Sequence, residues 1–301
     1  FNGGVHPDEN KNRSTSLPIA KLPIPKKLIL PLRQHVGHVA KVKVKPGDQV
    51  FKGQIIVEAD GNISAAIHAP TSGRILKISE EILPHPSGLP DFCITLEADF
   101  KDTWIEKKPI PWKKIEKTQL IETLSQSGIV GLGGAVFPTH MKLKTNQKQT
   151  IHTLVINAAE CEPFITCDDM LMRERADEII RGSLIAQTIL GAEKCVIGIE
   201  DNKIEAYEAL KKAAQKTTVE ITVVPTLYPS GDAKRLIYLL MGIEVPKEKR
   251  SVDLGIQVFN VATVAAIYRY LEFGEPSISR IVTITGAVKT PQNYEVLFGT
   301  P

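Results

Sequence analysis

A chain of 301 residues, 43% of them hydrophobic, is long enough to bury a large core and to divide into two or three domains. Its 37 Lys and Arg nearly balance 34 Asp and Glu, so the charge excludes a nucleic-acid binder held by counterion release. Four cysteines, Cys93, Cys161, Cys167 and Cys195, show no CxxC spacing and no matched histidine pair, which argues against a disulfide framework, a zinc site or an iron–sulfur cluster in this stretch and fits a reducing compartment. No apolar run approaches the roughly 20 residues of a membrane-spanning helix, and no signal peptide precedes the first ordered-looking segment. The start at Phe1 without an initiator Met and the stop at Pro301 after a strand-like stretch lead us to expect a piece of a longer protein.

Residues 1–34, rich in Pro, Lys and polar side chains, read as an extended lead-in that packs along a domain surface. Over residues 35–98, short β-branched runs alternate with turns: VAKVKV, KPGDQV (Lys45–Val50), GQIIVEAD and GNISAAIHAPTSGRILKI. The alternation predicts an all-β module. Its turns KPGDQV and PTSG (Pro70–Gly73), flanking Gly53 and Gln54, resemble those of the biotinyl and lipoyl carrier barrel, a flattened sandwich of β-hairpins. A carrier displays a lysine at its hairpin tip, whereas the matching turn here holds Asp60, Gly61 and Asn62, so we expect an unmodified barrel-sandwich scaffold. Residues 99–116 carry both tryptophans, Trp104 and Trp112, and read as a linker.

Beyond residue 117 the period changes. KTQLIETLSQSG (Lys117–Gly128) has helical spacing and a terminal glycine stop. HTLVINA (152–158) reads as a buried strand, 170–190 as a long amphipathic helix and 194–200 as a strand. A helix at about 203–214, a strand at 219–225 and helices at about 232–241 and 261–271 follow. This alternation implies a Rossmann-like α/β domain over 117–275 with a mostly parallel sheet, whose ligands sit at the carboxyl ends of strands. Residues 276–301 predict a hairpin turning at Lys289–Asn293, the start of a third, β-rich module, which the family resemblance given below implies to be β-grasp-like (SLBB).

The stretch SGIVGLGGAVFPTHMK (Ser127–Lys142) packs Gly128, Gly131, Gly133 and Gly134 into seven residues. Glycine at that density permits positive φ and lets backbone amides approach an anion or a flat ring, and Lys142 adds a point charge suited to phosphate. A tight turn competes with that reading, and neither a nucleotide triphosphatase loop nor a GxGxxG fingerprint is matched. The loop 157–162 follows a strand and offers an amide and carboxylates at the sheet's carboxyl edge; the alternative is a polar loop with Asp168 as N-cap of the next helix. Asn260 and Thr263 bracket a helix start, where free N–H groups and the macrodipole stabilise phosphate, a role compatible with Asn260 as a plain N-cap. Cys161 and Cys167, six apart, read as buried packing rather than a redox pair.

The run GLGGAVFPTHMK resembles the GRGGAGFPTGLK signature of the complex I flavoprotein subunit. In the same order, NAAECEP (Asn157–Pro163) is similar to that family's NADESEP, YPSGDAKRLI (Tyr228–Ile237) to its tyrosine, glycine and acidic segment, and FNVATV (Phe259–Val264) to its NNVET. Over the whole chain, GGVHPDENK, IPKKLILPLRQHVGHVAKVKVKPGDQVFKGQ and SRIVTITGAVKTPQNY are similar to the C subunit of Rnf-type ion-translocating ferredoxin:NAD oxidoreductases, which sets a sandwich module before the flavoprotein core.

The resemblance implies FMN held by Gly131, Gly133, Gly134, Lys142, Asn157, Glu160, Asn260 and Thr263, with Tyr228, Gly231 and Asp232 lining the flavin's other side. Phe137 and Glu162 are the implied NAD-binding candidates, Phe137 being equally suited to a core. No catalytic acid, nucleophile or metal ligand is implied in this stretch. NAD(H) is the implied substrate, and [4Fe-4S] clusters are expected only in a later region. Membrane subunits of the complex and ferredoxin are the implied partners, with a peripheral position on the cytoplasmic face of the inner membrane. Leu132, Val136 and Ala159 depart from the complex I arginine, glycine and aspartate, and Asp232 and Ala233 from paired glutamates; these changes bear more on nicotinamide than on flavin. The rival reading is a docking scaffold of a membrane complex with a vestigial cofactor fold.

Overall fold

The computed structural model describes residues 4–61, 63–84, 87–144 and 150–301; Asn62 of the expected hairpin tip lies outside the described residues. The first half carries β1 (Ala20–Lys21), β2 (Lys27–Pro31), β3 (Lys41–Val42), β4 (Gln49–Val50), β5 (Ile55–Glu58), β6 (Ile67–His68), β7 (Gly73–Ile82) and β8 (Pro90–Ala98). Next come α1 (Lys117–Ser125), α2 (Thr139–Leu143), β9 (Thr153–Ala158), α3 (Cys167–Leu190), β10 (Lys194–Glu200), α4 (Ile204–Ala214) and β11 (Val219–Val224). The chain closes with α5 (Ala233–Met241), β12 (Ile256–Asn260), α6 (Val261–Phe273), β13 (Ser279–Ile284) and β14 (Gln292–Leu297). Among the described residues no helix is long and apolar enough to cross a membrane.

Two compact units emerge. One comprises Lys21–Met141, Arg269–Arg280 and Glu295–Pro301. It holds a four-stranded sheet in the order β2-β8-β7-β4 and a three-stranded sheet β3-β5-β6, the sandwich predicted from the alternating runs. Lys27–Pro31, inside the stretch read as a lead-in, is a strand: Leu28 and Leu30 alternate with more exposed neighbours and pair antiparallel with Leu96 and Ile94 of β8. Prolines on either side masked that strand in the sequence, while the two leucines drive it. Leu28, Leu30, Ile56, Val57, Ile75 and Leu96 fill the core, each contributing about 1.5–3 kcal/mol by leaving water.

The other unit comprises residues up to Ala20, Lys142–Tyr268 and Ile281–Tyr294. Its sheet runs β11-β10-β9-β12, with all three neighbouring pairs parallel. Leu154, Val155 and Ile156 of β9 are fully buried, as a strand covered on both faces requires. Helix α3 packs on β9, β10, β11 and α4, and α5 packs on β9 and β11. Strand β12 was not foreseen; its five residues, IQVFN, are too few to show a period and run straight into α6. It decides where a ligand belongs, because the chain steps from β9 outward to β10 and β11 and then returns to β12 on the other side of β9. In open α/β sheets such a reversal is where ligands bind, here at the carboxyl ends of β9 and β12.

Ala20–Lys21, Gln292–Leu297 and Ser279–Ile284 make a three-stranded sheet in the order β1-β14-β13. The expected final hairpin is present, with its connection at 285–291 rather than 289–293.

Candidate functional site

At this edge of the α/β unit two asparagines face each other in register, Asn157 at the end of β9 and Asn260 at the end of β12. Both side chains organise backbone. The Asn157 amide donates to Gly231 O at 2.8 Å while its Oδ1 accepts from Ala159 N at 3.0 Å. Asn260 accepts from Ala262 N at 2.9 Å, satisfying one of the free amides of α6, and donates to the Asp168 carboxylate at 2.5 Å. Asn157 thus ties the loop after β9 to the loop before α5, and Asn260 ties α6 to the first turn of α3. Thr263, in the first turn of α6, is buried.

The loop after β9 departs from the expectation drawn for Glu160. Its carboxylate is buried and accepts from Asp168 N at 2.9 Å, Asp169 N at 3.4 Å and the Cys167 thiol at 3.2 Å, so Glu160 caps α3 and Asp168, expected as the N-cap, sits inside the first turn. The physical reason is that α3 begins at Cys167, which leaves amides exposed toward Glu160 instead of toward a residue of the helix itself. Burial raises the Glu160 carboxyl above its usual range, against the pull of Lys11, whose ammonium lies 4.0 Å away.

Two buried lysines that sequence reasoning missed hold this loop. Lys11 donates to Glu162 O at 2.9 Å and Ile165 O at 2.5 Å, and burial lowers its pKa. Lys203, 1% exposed, donates to Glu160 O at 3.3 Å, to Asn202 Oδ1 at 2.9 Å and to the fully buried Glu200 carboxylate. Lysine in a polar stretch such as EDNK carries no signal of burial, so no pattern could have found it.

Cys161 is buried, as packing requires, whereas Cys167, expected to be buried packing too, is half-buried and donates its thiol to Glu160. Cys161 accepts a weak bond from Gly231 N at 3.3 Å, and its burial raises its pKa. Gly231 has no room for a side chain, since a Cβ would lie 2.7 Å from Ala159 O. Glu160, Cys167 and Asp168 bring possible metal-ligand atoms within 4.8 Å of one another, yet both carboxylates are already bonded, to the α3 amides and to Asn260.

The remaining expected residues of this unit are dispersed in environment. Lys142, expected to meet phosphate, instead donates to Val258 O at 3.0 Å with its ammonium 5.2 Å from the Phe259 ring centre, and burial lowers its pKa. Tyr228 is exposed and exchanges backbone bonds with Val5, both 2.9 Å. Asp232 caps α5, accepting from Lys234 N and Arg235 N, both at 3.1 Å. Asp232, Arg235 and Tyr238 line a cavity of about 510 Å³, a volume suited to a small molecule. Glu162 is exposed.

In the sandwich-containing unit the glycine stretch forms a closed loop. Gly131 N donates to Phe137 O at 2.9 Å and Val136 N to Gly131 O at 3.2 Å. Gly133, Gly134 and Ala135 between them are exposed, and among the described residues their amides have no protein partner. Gly134 takes φ +103°, with open space where a side chain would be. Val136, standing where the complex I pattern has glycine, is held at φ 42°, a conformation costly for a β-branched residue. Phe137 is half-buried.

Comparison with known proteins bears on this arrangement. A family model described as the Nuo51 FMN-binding domain matches residues 124–269, and one described as the RnfC barrel sandwich hybrid domain matches residues 1–101. Over 304 residues, all of this chain is 49% identical to the C subunit of an ion-translocating oxidoreductase complex from Haemophilus influenzae. The chain belongs to the RnfC family. The RnfC relative of Vibrio cholerae, likewise a C subunit of such a complex, is 47% identical over 303 residues, and that of Erwinia tasmaniensis 46% over 304. This RnfC-family chain spans about two fifths of those relatives, 37% of the Haemophilus protein, 39% of the Vibrio protein and 38% of the Erwinia protein. Among solved structures, an NAD+-reducing [NiFe]-hydrogenase in the H2-reduced state aligns with a TM-score of 0.53 at 21% identity, over 62% of this chain and 38% of that one, a likeness of fold.

Proposed function

We propose that this chain carries the FMN of an ion-translocating oxidoreductase complex and passes electrons between NAD(H) and ferredoxin, as a peripheral subunit on the cytoplasmic side of a membrane. The observation that carries the reading is the pair Asn157 and Asn260, in register at the point where strand order reverses, inside the segment matched by an FMN-binding family. The residues fit a flavin phosphate and ring in two respects. The start of α6 brings a positive dipole end and Thr263 to the carboxyl edge of the sheet, and Gly231 lets the loop before α5 pack against the loop after β9, where a side chain would strike Ala159 O.

In the α/β unit, Asn260, Thr263, Gly231, Asp232 and Tyr228 are assigned to the cofactor. Asn157 and Glu160 serve by shaping the loops, since their side-chain atoms are bonded within the protein. Lys142 contributes positive charge through its ammonium beside β12. Gly131, Gly133 and Gly134 are assigned through the unpartnered amides of their loop, which suit an anion or a flat ring. Phe137 and Glu162 are assigned to NAD(H) on the resemblance alone. Bound flavin supplies two-electron exchange with a nicotinamide and one-electron exchange with iron–sulfur centres, which are assigned to the region of such proteins beyond this stretch. The protein's part is position and electrostatics.

Titration of the purified chain with FMN tests the reading: flavin fluorescence is quenched on binding, and Gly134→Trp combined with Lys142→Ala abolishes the quenching while circular dichroism is unchanged. Wild-type protein indifferent to FMN would return the assignment to a docking scaffold. NADH added to the bound flavin then bleaches its absorbance; a bound flavin that NADH leaves oxidised removes NAD(H) and spares the flavin.

A further inference from the structure

Residues 4–20 precede the sandwich in sequence and are matched together with it, yet they fold with the α/β unit. They reach both loops that close over the sheet's carboxyl edge. On the loop after β11, Val5 and Tyr228 exchange two backbone bonds of 2.9 Å. On the loop after β9, Phe164 N donates to Glu9 O at 2.8 Å, Ser14 Oγ lies 2.8 Å from Thr166 Oγ1, and the Lys11 ammonium gathers Glu162 O, Ile165 O and the Glu160 carboxylate. Glu9 also accepts from Asn202, whose own Oδ1 receives the Lys203 ammonium, so the two lysines grip the loop from opposite ends of one bonded chain.

A lysine with 8% of its surface exposed is an expensive way to hold a surface segment. Apolar packing would stabilise the segment as well, but only a cation with several donors can pull two carbonyls and a carboxylate of one loop toward a single point. Glu160, ion-paired with Lys11 at 4.0 Å, in turn fixes the first amides of α3, whose Asp168 holds Asn260. The chain of contacts from Lys11 to Asn260 is therefore continuous: Lys11, Glu160, Asp168, Asn260.

We propose that residues 4–20 are a positioning strap for the flavin edge, and that Lys11 is its positioning residue, setting the loop 159–166 and, through Glu160 and Asp168, the orientation of Asn260. The proposal rests on the flavin assignment above. Lys11 does not touch cofactor; it sets the shape of the groups that do. A loop held in this way has less to order when a ligand binds, which lowers the cost of binding.

The test uses the full chain and two readouts. Wild type is first titrated with FMN; failure to bind at that step removes the flavin assignment and is distinct from failure of the strap. Lys11→Met then weakens FMN binding at least tenfold, and in ligand-free protein the amides of Asp168 and Asp169 lose hydrogen-exchange protection while those of β9 and β10 keep theirs. Val5→Pro removes one strap bond at an exposed residue and weakens FMN binding about threefold, which serves if Lys11→Met does not fold. Unchanged FMN affinity in a variant whose loop has lost protection overturns the proposal. So does loss of protection that spreads to β9, because Lys11 would then be holding the core rather than the edge.

Discussion

His68 lies on β6 in the sandwich, 4% exposed, and among the described residues its Nδ1 has no hydrogen-bond partner. Removal from water disfavours its charged form and pushes its pKa down to about 3. An unfolded chain takes up that proton near pH 6.5, so between pH 6.5 and about 3 the unfolded state holds more protons than the folded one. Stability contributed by the neutral imidazole is complete above pH 6.5 and lost as pH falls, by about 1.4 kcal/mol per pH unit. The raised carboxyls of Glu160 and Glu200 act in the opposite sense, so the difference between wild type and His68→Leu isolates the histidine. Urea unfolding at pH 7, 5.5 and 4.5 is expected to show wild type losing ground to the leucine variant at each step; parallel losses in the two proteins would refute the account.

At the same scale lies the limit of what was legible. Asn157, Gly231, Asp232 and Asn260 were picked out by resemblance to flavoprotein motifs, since residue type alone fits a polar loop or an N-cap equally well. Lys11 and Lys203 could not, because nothing in a one-dimensional pattern distinguishes a lysine in water from one folded over a carbonyl. Glu160 was picked out by resemblance, and its bonds to helix amides appear only once α3 is seen to start at Cys167.

At the scale of elements, the alternation from β9 to α5 was legible to within a few residues, because buried parallel strands and amphipathic helices differ in period. Strand β12 was not, and with it went the strand order in which the reversal lies. One close approach between elements is marked in the sequence only by a glycine. Gly182 of α3 lies so near α6 that a Cβ there would sit 1.9 Å from Val264 O, a backbone atom that cannot swing aside. Gly182→Ala is expected to destabilise by roughly 1–3 kcal/mol through forced separation of the two helices. Since Val264 is in the first turns of α6, the same variant should also weaken FMN binding. An unshifted urea midpoint would show that the helices part without cost.

At the scale of the whole molecule, both layered units were foreseen as classes, a sandwich and a parallel α/β sheet, since each follows from periodicity. Their composition in chain segments was not foreseen. The α/β unit draws on three separate stretches of chain, and the link that ties them is polar: Asn293 donates to Ser14 O at 3.0 Å and to Thr166 Oγ1 at 2.8 Å, all buried. Contacts of that kind leave no trace in hydrophobic pattern.

The bond between Ser14 and Asn293 joins residues 279 apart. During synthesis at roughly 5–20 residues per second, the segment around Ser14 emerges from the ribosome roughly 15–60 s before its last partner exists. The strands β2 to β8 of the sandwich are all made by Ala98, long before that, and only its edge contacts with Leu297 and Phe298 come later. The segment around Ser14 should therefore settle late although it is made before the sandwich, and stalled nascent chains ending near residue 250 should show a protease-resistant sandwich beside a Ser14 segment still open to cutting. A protected Ser14 segment at that length would mean that Ser14 finds its place without Asn293.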